Sequence, residues 1–312
     1  MDETKAVRQI WQSLGLPGVV DVHTHFMPKP VMDKVWQYFD DAGPLVGRRW
    51  PIAYRTDEEQ RLGTLRGFGV RAFTSLVYPH KAQMAVWLNQ WATAFAAAAP
   101  DCLHTATFYP EPGVESYVRQ AIGLGAQVFK VHIQVGRYSP TDPLLDRAWG
   151  VIEDADLPVV IHCGSGPVPA EHTGVEPVAA LLARHPRLRL VIAHLGMPEY
   201  TDFLNLADRY DDVRFDTTMA FTPFIEETMP FPRSEYGRLR DHADRILFGS
   251  DFPNIPHGYI NTMRVLTRLP GIDDEWLRKV FYNNAAQLFS LAGSTPTSLT
   301  PTTRRSDGES AR

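Results

Sequence analysis

Cysteine is nearly absent from this chain: there are two in 312 residues, Cys102 and Cys163. They form no Cys-x-x-Cys pair and no disulfide framework, which excludes a disulfide-stapled scaffold and points to a reducing compartment. No apolar run approaches the roughly 18–20 residues that a membrane span requires. The opening residues Met1-Asp2-Glu3-Thr4-Lys5 lack the apolar core of a signal peptide. Runs of basic residues are missing too. A net charge of -5 and a pI near 6.1 argue against a nucleic-acid partner. These absences together give the expectation of a soluble cytoplasmic protein that acts on a small molecule, with neither nucleic acid nor membrane as partner.

What the chain does have is a large apolar fraction, 44%, enough for a full core in one large domain. Strand-like and helix-like stretches alternate along it. Strands fit 19–24, 70–77, 103–108, 127–133, 157–162, 189–194, 213–217 and 245–249, on β-branched content and bounding Gly/Pro breakers. Helices fit 57–68, 81–98, 112–122, 143–155, 174–185, 198–210, 257–268 and 273–291, with a helical region over 223–242 that Pro230 and Pro232 interrupt. Residues 2–14 read as an amphipathic helix with Val7, Ile10, Trp11 and Leu14 on one face, suited to cover the barrel bottom or a neighbouring subunit. The segment 26–56 is too long for an ordinary connection, so a functional or mobile loop is expected there.

Eight strands, each followed by a helix, imply parallel pairing through right-handed crossovers and a single closed (β/α)8 TIM barrel. A doubly wound open sheet would bring a glycine-rich turn after the first strand. The chain offers His-Phe-Met-Pro-Lys-Pro there instead, from His25 to Pro30. The expected organisation is a helical extension at 1–18, the barrel at 19–292 and a disordered Ser/Thr/Pro/Arg-rich tail at 293–312.

In such a barrel the active site lies at the C-terminal ends of the strands. The first strand ends in His23 and His25, the fourth in Lys130 and His132, the fifth in His162, the sixth in His194, the seventh in Asp216 and the eighth in Asp251. Each can bind a metal or move a proton, and their collection at one rim predicts a shared site. Strand alternation places Asp21, His23 and His25 on one face, where two imidazoles can reach a single ion. The same alternation puts Val128, Lys130 and His132 toward the barrel interior, where Lys130 needs a compensating acid or a modification.

The stretches Asp21-Val22-His23-Thr24-His25, Val160-Ile161-His162-Cys163-Gly164, Val191-Ile192-Ala193-His194-Leu195-Gly196 and Leu247-Phe248-Gly249-Ser250-Asp251-Phe252-Pro253 resemble the amidohydrolase superfamily. The likeness is to the branch that includes aminocarboxymuconate-semialdehyde decarboxylase and related metal-dependent hydrolases, and it covers about 19–290. The resemblance implies that His23, His25, His162 and Asp251 ligate one divalent metal, usually zinc, with manganese or iron also suited to such a donor set. It implies a catalytic role for His194 beside that metal. Some binuclear members use a carboxylated lysine on the fourth strand. Lys130 sits two residues before the strand's end, so it reads as a supporting residue behind a mononuclear site, like Asp21.

The implied activity is hydrolysis of a small-molecule ester, lactone or amide by metal-activated water, with Asp251 as general base and His194 assisting. The alternative with the same residues is non-oxidative decarboxylation of an aromatic or muconate-type acid. That reaction needs a cationic clamp, for which Arg48 and Arg49 are candidates. A third reading, a non-catalytic metal- or ligand-binding barrel, predicts a broken constellation, whereas every piece is present. Further candidates for substrate contact are His132, Trp50, Arg137 and His172. Homodimerisation through the first or the terminal helices is compatible with this reading.

Overall fold

The computed structural model describes residues 2–291; the tail assigned to 293–312 lies outside the described residues. Nine strand segments run in chain order: β1 (Val19–Asp21), β2 (Val70–Thr74), β3 (Cys102–Leu103), β4 (Thr105–Thr107), β5 (Val128–His132), β6 (Val159–His162), β7 (Leu190–Ile192), β8 (Arg214–Asp216) and β9 (Ile246–Leu247). Every adjacent pair is parallel, and neighbours in space are neighbours in sequence. β3 and β4 are two halves of the third stave, expected as one strand over 103–108 but interrupted at His104. The Val22 amide donates to Phe248 O at 2.9 Å, and Thr24 bridges Phe252 in parallel, so the first stave meets the last. The architecture is a (β/α)8 TIM barrel, as the alternation predicts.

Strand parity divides the apolar residues into two layers. Val20, Val22, Ala72, Leu103, Val128, Val160, Val191 and Leu247 pack together inside the barrel, with Ala285 and Phe289 of the C-terminal helical segment against them. The intervening residues, among them Phe73, Phe129, Ile161, Ile192 and Phe215, face the helix layer and join the larger core.

The segment 26–56 is an ordered cap. It carries helices Lys29–Asp41 and Gly43–Val46. Both tryptophans in it bond to Asn254 beyond β9: Trp36 Nε1 to Asn254 Oδ1 at 3.0 Å and Trp50 Nε1 to Asn254 O at 2.7 Å. The first helix, Glu3–Ser13, is capped by Asp2 and lies against helices Glu58–Phe68 and Tyr259–Leu266 of the same chain, burying Val7 and Trp11. Among the described residues no helix is long and apolar enough to cross a membrane.

Candidate metal centre

β1 and the last strand place the core of the site. His23 and His25 follow β1, and Asp251 follows β9. Their ligand atoms all lie within 4.8 Å of one another, and all three residues are buried. Asp251 Oδ1 is 3.0 Å from His25 Nε2 and 3.8 Å from His23 Nε2. The backbone locks the two ends together: the Asp251 amide donates to His23 O at 2.8 Å, and the His25 amide to Phe252 O at 2.7 Å. Asp251 holds φ +71°, a left-handed conformation that costs a non-glycine residue energy and concentrates at functional positions. Gly249 permits the approach, since a Cβ there would meet Thr218 Oγ1 at 2.2 Å and His23 Cβ at 2.7 Å.

The outer nitrogens of both histidines are satisfied. His23 Nδ1 donates to Asp216 Oδ2 at 2.8 Å, and His25 Nδ1 donates to Leu76 O at 3.0 Å. Each bond fixes a tautomer with the Nε2 lone pair facing Asp251, the arrangement that prepares a histidine as a metal ligand. The donor set fits a divalent metal: two neutral imidazole nitrogens and a carboxylate, oriented from behind and shielded from water. Burial, aided by the Lys130 charge and opposed by Asp216, lowers His23 to about 3. Burial pushes the Asp251 carboxyl up, but the imidazoles packed around it, His25 first, hold it well below its usual range.

His194, His162 and His132 complete a ring of imidazoles. The rings of His23 and His194 are 5.0 Å apart, those of His194 and His162 4.8 Å, and those of His162 and His132 4.0 Å and stacked. The last contact follows from register, because His132 pairs with His162 across β5 and β6. Burial drives all three below the ordinary histidine range. His194 sits at φ +56° and donates from Nδ1 to Thr218 O at 3.2 Å, which leaves Nε2 as its free nitrogen. His162, a ligand in the set implied by resemblance, contributes no atom to the close group: its Nε2 donates to Gly166 O at 3.1 Å.

The expected shared face of Asp21, His23 and His25 is corrected. The strand stops at Asp21 and the chain bends at Val22, so the alternation that would carry Asp21, His23 and His25 on one face ends before the histidines, and Asp21 stays outside their close group. Asp21 turns instead toward Ser250 Oγ at 2.6 Å and Tyr259 OH at 2.9 Å, and accepts from the His23 amide at 3.2 Å. Lys130 is fully buried, and its Nζ has no hydrogen-bond partner. Burial lowers it to about 8 against the opposing charges of Asp216 and Asp251.

The remaining candidates disperse. Arg48 bonds Glu227 Oε2 at 2.7 Å and Phe224 O at 3.0 Å, and lies over the Phe224 ring. Trp50 is buried between Phe39 and Phe224. Arg49 and Arg137 are exposed, and His172 is half-buried. One participant carries no signal in the sequence, and another carries one without its role. Tyr78, beyond β2, sets its ring 5.7 Å from His25 and 4.8 Å from His132; no strand-end pattern marks it. Asp216 was visible as a strand end, but its role is fixed only by folding: besides His23 it accepts from the His194 amide at 2.9 Å and the Thr218 amide at 3.1 Å.

The family model described as amidohydrolase matches residues 20–291. A comparison with curated proteins returned no match. Among solved structures, the chain is similar to an uncharacterised TIM-barrel protein from Bordetella bronchiseptica, with 18% identity, TM-score 0.69 and coverage of 88% of this chain and 98% of that one. It is also similar to 5-carboxyvanillate decarboxylase from Sphingomonas paucimobilis, with 16% identity, TM-score 0.59 and coverage of 88% and 99%. A putative 2-pyrone-4,6-dicarboxylic acid hydrolase from Pseudomonas putida is similar at 16% identity, TM-score 0.57 and coverage of 88% and 98%. At these identities the likeness is one of fold.

Proposed function

We propose that this chain, which belongs to the amidohydrolase family, is a metal-dependent hydrolase of a small-molecule ester, lactone or amide. The observation that carries the reading is the convergence of His23 Nε2, His25 Nε2 and Asp251 Oδ1, with both outer histidine nitrogens already bonded. A divalent ion held there supplies Lewis-acid chemistry, making water acidic near neutral pH and polarising a carbonyl. Asp251 meets both histidines through Oδ1 and keeps Oδ2 to accept a proton from the attacking water. His194, next to His23, offers Nε2 to the oxygen on which charge develops.

Fold neighbours include a decarboxylase as well as a putative hydrolase. Decarboxylation would want a cation open to the substrate carboxylate, and Lys130 is fully buried. Arg48 is instead occupied by Glu227 and the Phe224 carbonyl, and Arg49 is exposed, which favours hydrolysis. The test is metal content by elemental analysis of wild type and His25→Ala, followed by a screen of lactones, esters and aromatic acids. The reading expects about one equivalent of metal in wild type, its loss in the variant, and hydrolysis that Asp251→Asn abolishes. Carbon dioxide release from an aromatic acid would replace this reading with the decarboxylase. Full hydrolytic activity in Asp251→Asn would remove the mechanism.

A further inference from the structure

Asn254 lies where the cap meets the loop after β9. It is 2% exposed, and three of its polar atoms are bonded to parts of the chain far apart in sequence. Its amide donates to Asp251 O at 2.8 Å, closing the turn that carries the ligand carboxylate. Its Oδ1 accepts from Trp36 Nε1 at 3.0 Å, and its backbone O accepts from Trp50 Nε1 at 2.7 Å. One residue further, Ile255 O accepts from the Ala53 amide at 2.9 Å. Three donors of the segment 26–56 therefore land on two consecutive residues beside Asp251.

The cap side of this junction is anchored independently. The guanidinium groups of Arg61 and Arg55 lie 5.4 and 5.5 Å from the Trp36 ring centre. Arg61 is buried with no carboxylate bonded to it and with Nη1 unpartnered; it also faces the Phe26 ring at 5.3 Å. Arg55 bonds both oxygens of Asp40 in the cap helix, at 2.8 and 2.7 Å. The buried Arg61 guanidinium bonds Asp57 O through Nε at 3.3 Å and has Glu58 and Asp57 near enough to oppose the effect of burial on its charge, while its planar face lies against both aromatic rings. Both guanidinium groups pack against Trp36, the ring whose N–H reaches Asn254. On the other side Asp251 holds a left-handed backbone at φ +71°, and such a conformation persists only where its surroundings over-determine it.

We infer that Asn254 is a positioning residue that couples the docked cap to the Asp251 carboxylate: Trp36 and Trp50 hold Asn254, and Asn254 holds the Asp251 turn. Docking of the cap and formation of the metal centre are then linked through one residue, whose side-chain Oδ1 and backbone O meet Trp36 and Trp50 and whose backbone amide closes the Asp251 turn. This inference rests on the metal-centre reading for its consequence, though not for the coupling itself.

The experiment measures hydrogen–deuterium exchange in the full chain for wild type, Trp36→Phe, Asn254→Ala and Asn254→Asp. Zn2+ affinity is measured by chelator competition on the same proteins. Trp36→Phe keeps an aromatic ring between the arginines and removes the N–H together with part of the ring, so Asn254→Ala, which deletes the acceptor alone, is the matching control. The expected result is about tenfold faster exchange in the 251–255 turn on losing one hydrogen bond, with the β6 amides unchanged. Asn254→Ala should reciprocally speed exchange in helix Lys29–Asp41. Asn254→Asp, which keeps an acceptor for Trp36, should restore most of the protection. Zn2+ affinity should fall about three- to tenfold in Trp36→Phe and no further in the Trp36→Phe/Asn254→Ala double variant. Faster exchange confined to the cap, with the 251–255 turn at the wild-type rate, would overturn the coupling. A wild type that binds no Zn2+ would overturn the metal reading, while the exchange data would still decide the coupling.

Discussion

Asp216 shows how much of a metal site depends on a residue that need not touch the metal. Its carboxylate takes the Nδ1 proton of His23 and the amides of His194 and Thr218, so one side chain sets a ligand's tautomer and the backbone of the neighbouring histidine. Asp216→Asn should weaken metal binding about 10–100-fold while the protein stays folded; competition against a calibrated chelator measures it. His23, His25 and Asp251 could be read in the sequence because strand ends carry the chemistry of a parallel barrel. The orientation of Asp21 could not: its parity depended on a strand that stops at Asp21 and bends at Val22. The fate of Arg48 was equally hidden, since Glu227 and Phe224 reach it from a loop 176–179 residues away.

At the scale of elements, the order of strands and helices was legible because period-2 and period-3.6 patterns alternate cleanly. The cap was not: helix Lys29–Asp41 buries only Met32 and is fixed through Trp36 to Asn254, far away in sequence, and Gly43–Val46 is a single turn. The helix expected from Lys81 begins at Ala85, and the last helix is split by a π-helical stretch at Lys279–Asn283. The first helix is pinned by Trp11, which bonds Phe68 O at 2.9 Å and covers Gly69. Gly69 has φ +86°, and a Cβ there would lie 2.6 Å from Trp11 Cζ2. Gly69→Ala should cost about 2–4 kcal/mol, from backbone strain plus overpacking, and Trp11→Ala in the same chain should relieve part of it; urea midpoints of the four proteins test that non-additivity. In the last turn of helix Glu58–Phe68, Arg66 bonds both oxygens of Asp101 at 2.8 Å. That bond outweighs burial and holds Asp101 below its ordinary pKa. A carboxylate depressed in the folded state contributes stability above its unfolded pKa and loses it as pH falls through the folded one. Asp101→Asn should therefore cost up to about 1 kcal/mol near neutral pH, given the partial exposure of the pair. The cost should vanish once the carboxylate is protonated, as urea unfolding at the two pH values would show.

For the whole molecule, the barrel interior sets the electrostatic balance of the site. Above a plug of valines and leucines sit two carboxylates, Asp216 and Asp251, and one ammonium, Lys130, which makes no hydrogen bond to either. The apolar layers are complete without any ion, so the metal-free chain should fold. Folding nevertheless gathers ligands that the unfolded chain keeps apart, and an ion that binds only the folded state stabilises it by mass action. At about 100 times its Kd, Zn2+ should add about 2.7 kcal/mol, which for a domain of this size raises Tm by about 4–5 °C. Calorimetry of the chelated and Zn2+-loaded protein measures the shift. His25→Ala, which removes one ligand and leaves the valine and leucine layers untouched, should show little of it. An equal shift in His25→Ala would place the ion elsewhere on the molecule, and no shift in wild type would mean that His23, His25 and Asp251 converge for proton transfer alone.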